Sequence, residues 1–154
     1  MIAIIYRVSR TLKGKFRPLN PDKYKGDPGQ IYYRSSWELE FMRWCDAREE
    51  VLWGQSEEKR IPYYDPITKR RRTYYPDFLL ARQCHDGIIR ETLVEVKPSR
   101  QVRGPAKNPK RKSKAWLNEV YTYTTNMAKW KAAAEWCEDR GIDFQLITEK
   151  ELKL

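Results

Sequence analysis

The sequence predicts an α/β domain whose mixed central sheet is flanked by helices. Three observations carry that expectation. A serine-capped stretch with apolar residues at helical spacing precedes residue 50. Between Val51 and Val96, segments rich in β-branched and aromatic residues alternate with turn signals. After residue 115 the helical period returns, and a last apolar segment, Ile142 to Ile147, follows it. The order α, β-β-β, α, β within 154 residues suits one core.

Composition sets bounds on function. Six Trp, ten Tyr and four Phe supply large apolar groups for a packed core, although 34% of the residues are charged. The net charge of +10 favours a polyanionic partner, with nucleic acid first. No apolar run approaches the ~20 residues of a spanning helix, so no membrane partner is expected. The opening MIAIIYRVSR has no cationic lead and no cleavage signature, so a secreted protein is not expected. Cys45, Cys84 and Cys137 are widely spaced and odd in number, which argues against a disulfide framework or zinc knuckle. The one histidine, His85, falls in an expected turn. Catalysis, if present, must run on carboxylates and lysines.

Residues 1–30 are expected as an extended basic arm, and 31–154 as a single domain. Residues 1–12 read as an edge strand or an appendage. Residues 13–30 carry Lys13, Lys15, Arg17, Lys23 and Lys25 among prolines and glycines, a composition for extended chain. Such an arm is either strapped over the domain or grips nucleic acid. Next, Ser35 and Glu38 spell a capping box for a helix whose apolar face is Trp37, Phe41, Trp44 and Cys45. Glu38 has two readings, a helix cap or an extra metal-site carboxylate. One conformation cannot serve both. Val51–Trp53 reads as a short strand. Ile61–Tyr64 and Thr73–Tyr75 read as a hairpin with a basic tip.

The stretch from Tyr74 to Lys97 carries the chemistry. Asp77 follows a proline at the head of the apolar run Phe78–Leu80. Cys84-His85-Asp86-Gly87 signals a turn, and Thr92–Val96 resumes a strand. The resulting hairpin lets Asp77 and Glu95 lie side by side. Glu95 and Lys97, two residues apart, share a face, while Val96 points to the other. Pro98 ends the ladder, having no N–H to donate. Asp…Glu-x-Lys at the rim of a sheet is the minimal layout of a metal-dependent phosphodiester hydrolase. Acidic oxygens can hold a hard divalent cation, and the lysine can polarise the attacking water. A cross-strand salt bridge uses the same residue types, so the rest of the chain must decide.

Residues 98–114 hold Arg100, Arg103, Lys107, Lys110, Arg111, Lys112 and Lys114 with no acid. Runs of one sign tend to be disordered when free. This run begins at the mouth of the expected site, where it reads as a loop that holds a phosphate backbone. A helix then follows from Ala115. Asn126 reads as the N-cap of a second helix, MAKWKAAAEWCEDR, with Lys129 near its start and Gly141 as its stop. Thr148 and Glu151 spell another capping box, opening a short terminal helix.

The pieces YRSSWELEFMRWCD, IPYYDP, YYPDF, VEVKP and NMAKWKAAAEWC…GIDFQLITEKEL, in that order, resemble the head-completion nucleases of contractile-tailed bacteriophages. These are similar to the PD-(D/E)xK nuclease superfamily, and the likeness covers roughly residues 13–154. It implies a restriction-endonuclease-like core and a small DNA endonuclease acting after genome packaging. Such a protein would trim protruding DNA so that neck and tail can attach. By motif, Asp77, Glu95 and Lys97 would be the PD…ExK residues and Glu38 the first-helix glutamate. The resemblance further implies Mg2+, with Mn2+ as substitute, held by Asp77, Glu95, the carbonyl of Val96 and Glu38. Lys97 would orient the nucleophile. Arg100, Arg103, Lys107, Lys110, Arg111, Lys112 and Lys129 would contact DNA, mostly through phosphates. Partners would be DNA and the phage portal and neck proteins. The setting would be the host cytoplasm during virion assembly, or the virion head and neck. Two rivals stand beside this reading. One is a Holliday-junction resolvase or transposition-type nuclease of the same fold. The other is a non-catalytic DNA-binding head or neck protein.

Overall fold

The structure, a computed structural model, describes residues 12–56 and 59–152. The appendage expected over residues 1–12 falls almost wholly outside that range. In chain order the elements are β1 (Gly14–Lys15), β2 (Tyr32–Tyr33), α1 (Ser36–Ala47), β3 (Val51–Gln55), β4 (Ile61–Asp65), β5 (Arg70–Tyr74), β6 (Phe78–Gln83), β7 (Ile89–Val96), α2 (Ser99–Arg103), α3 (Lys114–Glu138) and β8 (Asp143–Ile147). The central sheet has the order β3-β6-β7-β8. β3, β6 and β7 run antiparallel as a meander, and β8 joins β7 in parallel. This is the mixed, helix-flanked sheet that the sequence predicts. The hairpin β4–β5 is inserted in the meander and pairs only with itself.

Alternation along the strands decides how the sheet is covered. Phe78, Leu80, Val94 and Val96 turn to one face and pack with Phe41, Met42 and Cys45 of α1. Leu93 and Leu79 turn to the other, against Trp130, Ala133 and Cys137 of α3 and Ile61, Tyr63 and Tyr74 of the inserted hairpin. With both faces covered, β7 is buried from Leu93 to Val96 without a polar gap. Glu95 is buried there too, at 4% exposure.

Residues 12–33 lie on the domain. β1 pairs with β2, and the Phe16 N–H donates to Ile31 O at 2.8 Å. The rings of Phe16 and Tyr24 meet buried Trp53 edge-on at 5.8 and 4.8 Å. Buried Asp46 accepts the N–H groups of Leu19 (2.7 Å) and Asn20 (3.1 Å). Lys23 Nζ donates to the carbonyls of Cys45 and Asp46, each at 2.7 Å. The described part of the basic arm is therefore strapped down. Asp46→Ala removes two charge-assisted bonds. It is expected to cost about 2–3 kcal/mol and to open residues 17–26 to proteolysis before the sheet unfolds, as limited digestion alongside thermal melts will show.

Asp65 docks the inserted hairpin. It accepts the Ile67 N–H (3.0 Å) and the hydroxyls of Thr68 (2.8 Å) and, from α3, Thr125 (3.3 Å), with Arg72 Nε at 3.4 Å. Burial alone would raise its carboxyl, but these hydrogen bonds outweigh burial and hold it below the usual range. A depressed folded pKa gives stability that is present above the unfolded value of about 3.9 and lost as pH falls through the folded one. Amide protection at Ile67 and Lys69 should therefore drop on acidification below about pH 4, and Asp65→Asn should remove most of that pH dependence.

Two expectations change. The two helices expected on either side of Asn126 are one, with Asn126 buried inside α3. The segment holds neither Pro nor Gly. Thr124 satisfies its hydroxyl locally by donating to Val120 O at 2.8 Å, so nothing interrupts the helix. Ser113 is the N-cap, accepting the Trp116 N–H at 3.1 Å. Gly141 does stop the helix, at φ 66, with its N–H on Glu138 O and the Ile142 N–H on Cys137 O. The capping box at Thr148 forms, with the Thr148 N–H 2.7 Å from Glu151 Oε2, but it closes a turn instead of opening a helix within the described residues.

Candidate active site

The β6–β7 register sets Phe78 opposite Val94, and one further step sets Asp77 opposite Glu95. Asp77 Oδ2 accepts the Val96 N–H at 2.8 Å. The N–H and C=O of a strand residue share one edge, so the Val96 carbonyl also faces the Asp77 side. The next amide, Lys97 N–H, turns the other way, onto Ile147 O of β8 at 2.9 Å. Glu95 Oε1 lies 3.2 Å from Lys97 Nζ. Among the described residues Glu95 Oε2 is buried with no hydrogen-bond partner. The Tyr74 hydroxyl, also buried without a completed hydrogen bond, faces Glu95.

The electrostatics follow from burial and crowding. Burial first, and the Glu95 charge second, push the Asp77 carboxyl well above the usual carboxylate range. Glu38 adds to this, and the Val96 N–H opposes it. Burial alone would lower Lys97, but Glu95, Asp77 and Glu38 outweigh it and raise the ammonium. Lys97 thus stays charged at neutral pH. Burial and then Glu95 raise the Tyr74 phenol far above its ordinary value, so it stays a neutral donor.

This donor set fits a hard divalent cation. A buried carboxylate oxygen without a donor is costly unless something positive meets it. The second carboxyl and the carbonyl on the same side bring two more oxygen donors, the type such cations take. Among the described residues no three His, Cys, Asp or Glu side chains form a ready cage. The position of Glu38 is in keeping with that. Its Oε2 accepts the Arg34 N–H at 2.9 Å and its Oε1 the Ser35 hydroxyl at 3.3 Å, while Ser35 Oγ accepts the Glu38 N–H at 3.1 Å. The carboxylate returns to Arg34, one residue before the cap, and caps its own helix. Glu38 still borders the site on both sides. It lines one groove with Asp77 and another with Val96 and Lys97.

The basic segment is tied down. Glu149, in the turn after β8, accepts the Ser99 N–H at 2.8 Å and the Ser99 hydroxyl. These bonds outweigh burial and lower its carboxyl. Gly104 reverses the chain at φ 84, and the Tyr123 ring lies 2.8 Å from where a Cβ would stand. Trp116 Nε1 donates to Ala106 O at 2.8 Å. Arg100 lines the groove beside Lys97. Arg103, Lys107, Lys110, Arg111 and Lys112 stand exposed on the connection to α3. Lys129 is not in the groove. Its Nζ sits 5.8 Å over the rings of both Tyr63 and Tyr74, so it meets the site through Tyr74. Sequence reasoning missed Tyr74 and Glu149. The only local signal for Tyr74 is its place three residues before Asp77, and Glu149 has none.

Two comparisons bear on this site. A family described as TnsA-like endonuclease N terminal matches residues 46–149, which hold Asp77, Glu95, Lys97 and the basic segment but not Glu38. The chain is also similar to a protein named head completion nuclease from Enterobacteria phage T4. The two are 38% identical over 144 residues, covering 91% of this chain and 93% of that one.

Proposed function

The chain belongs to the phage head-completion nucleases, with a TnsA-like endonuclease region across residues 46–149, and on that premise we propose that it hydrolyses phosphodiester bonds of DNA with a divalent cation held at Asp77 and Glu95. The observation that carries this reading is the buried, unpartnered Glu95 Oε2 opposite Asp77. Mg2+ is the expected ion and Mn2+ its substitute, since the donors are all oxygen. The Val96 carbonyl would add a third oxygen donor, and Glu38, whose carboxylate caps its own helix, would reach the ion directly or through water. Such a cation supplies Lewis acidity toward the scissile phosphate and makes water more acidic.

The protein's own residues do the rest. The charged Lys97 ammonium, held by Glu95, orients the attacking water and balances charge that develops on the phosphate. Arg100 holds the backbone next to it, and the exposed cations from Arg103 to Lys112 extend the contact. Phosphate contacts carry little sequence information, so recognition is of DNA structure and is strongly salt-dependent. The name of the phage T4 relative supports a role in completing filled heads. We place the protein with the portal and neck proteins, in the host cytoplasm during virion assembly or in the virion head. Among the described residues no helix is long and apolar enough to cross a membrane.

The test is cleavage of single-stranded, linear duplex and four-way-junction DNA, each with Mg2+ and with EDTA. Metal-dependent cutting is expected. A folded protein that binds DNA yet cuts none of these with any divalent cation would put the non-catalytic head protein first. Cutting confined to four-way junctions, by a dimer, would favour the resolvase.

A further inference from the structure

Glu38 borders two grooves, one with Trp37 in its wall and the other with Arg34 and two tyrosines. The groove past Lys97, about 480 Å3, carries the cation Arg100. The groove past Asp77, about 440 Å3, is walled by Tyr32 and Tyr75. Each of these tyrosines is 49% exposed, beside the expected point of cleavage.

The backbone that carries each ring is fixed. Tyr32 sits in the β1–β2 ladder, its carbonyl accepts Gln55 Nε2 at 2.8 Å, and its hydroxyl bonds Gln30 at 3.0 Å. Tyr75 lies between the end of β5 and buried Pro76, whose carbonyl accepts the Ser56 hydroxyl. Arg34 lines the same groove.

Along its length a duplex turns its phosphates outward and keeps its base faces stacked inside, so away from its ends it offers little to a tyrosine face. Splayed bases do, and a cation between aromatic platforms is how proteins follow a single strand. A basic protein with two half-exposed tyrosines at one mouth of its site matches that chemistry better than it matches a continuous helix.

We propose that the Tyr32–Tyr75 groove binds unpaired nucleotides of the strand being cut, so that the preferred substrate is DNA that is single-stranded on the Asp77 side of the scissile phosphate. Cleavage specificity here rests on the nuclease reading above, while strand binding does not. The backbone then passes over Glu38 toward Arg100, where phosphates of a single strand or a duplex are held alike.

Binding and cutting are measured separately. In EDTA, labelled single strands and blunt duplexes of equal length are titrated against wild type, the Tyr32→Ala/Tyr75→Ala double variant and the corresponding double Phe variant. Stacking contributes about 1–3 kcal/mol per base, so the Ala variant, which removes two platforms, should lose about 30-fold or more in single-strand affinity and less than about threefold for duplex. The Phe variant keeps the rings and should stay near wild type, and 2-aminopurine in the single strand should lose its quenching only with the Ala variant. In Mg2+, a duplex with a single-stranded overhang should be cut faster than a blunt one. Unchanged single-strand affinity in the Ala variant overturns the proposal. Equal cutting of blunt and overhanging duplexes also overturns it and leaves the nuclease intact. If nothing is cut but the Ala variant still loses the single strand, the groove assignment stands and the nuclease reading falls.

Discussion

Glu95→Ala is expected to lower DNA cleavage by about 10^3-fold or more, because a metal's charge stabilisation is worth several kcal/mol of the barrier. Glu95 combines two tasks in one side chain. Oε1 holds Lys97 at 3.2 Å, and Oε2 waits buried with no partner. The substitution removes both, leaving Asp77 as the remaining carboxylate of the pair and Lys97 without its nearest anion. Glu95→Gln separates the tasks, since it keeps the shape and removes the charge. Its cleavage should fall almost as far, while its melting temperature should match or exceed that of wild type. Mn2+ titration calorimetry gives an independent readout, and the binding heat should vanish in both variants. Cleavage within tenfold of wild type by the Ala variant would sink the assignment of Glu95.

Asp77→Asn should abolish cleavage and yet make the metal-free protein more stable. Two carboxylates face each other at the end of β6 and β7, and burial penalises the charge on Asp77. Replacing a charge that burial and a facing carboxylate disfavour with a neutral isostere should raise the metal-free Tm by a few degrees. Asn Oδ1 can still accept the Val96 N–H. The sign with pH follows from linkage. The folded protein holds the Asp77 proton more tightly than the unfolded chain does. The contribution of this group is therefore most favourable below its unfolded value of about 3.9 and falls as pH rises toward the raised folded value. Metal-free wild type should show that loss, and Asp77→Asn should not. Added Mg2+ should raise the Tm of wild type and leave the variant where it was. A variant less stable than wild type without metal would show that Asp77 is not under repulsion.

Much of this architecture could be read along the chain because it is encoded locally. Turn chemistry at Asp86-Gly87 and the period-two runs on either side determined the β6–β7 hairpin. The hairpin fixed the facing of Asp77 and Glu95, and the two-residue spacing fixed that of Lys97. The Ser35 cap and its apolar stripe determined α1, and Gly141 the end of α3. The resemblance of the ordered motifs gave the family. What failed locally was the break at Asn126, since one polar residue cannot stop a helix that tertiary packing continues to bury.

Only the tertiary structure decided what meets across long sequence distances. Leu19 and Asn20 find Asp46, Ser99 finds Glu149, and Lys129 stacks on Tyr63 and Tyr74 instead of entering the groove. No periodicity or spacing encodes such pairs, because each depends on how two separately formed elements dock. The same holds for Glu38. Its sequence position supports both a cap and a metal-site carboxylate, and the Arg34 amide at 2.9 Å settles its place in this conformation. Sequence by itself determined the strands that carry Asp77, Glu95 and Lys97. Docking of the sheet between α1 and α3 buried Glu95 and left one of its oxygens without a partner. Burial is a property of the assembled fold, and it is what makes the Asp77–Glu95 pair fit the cation we propose.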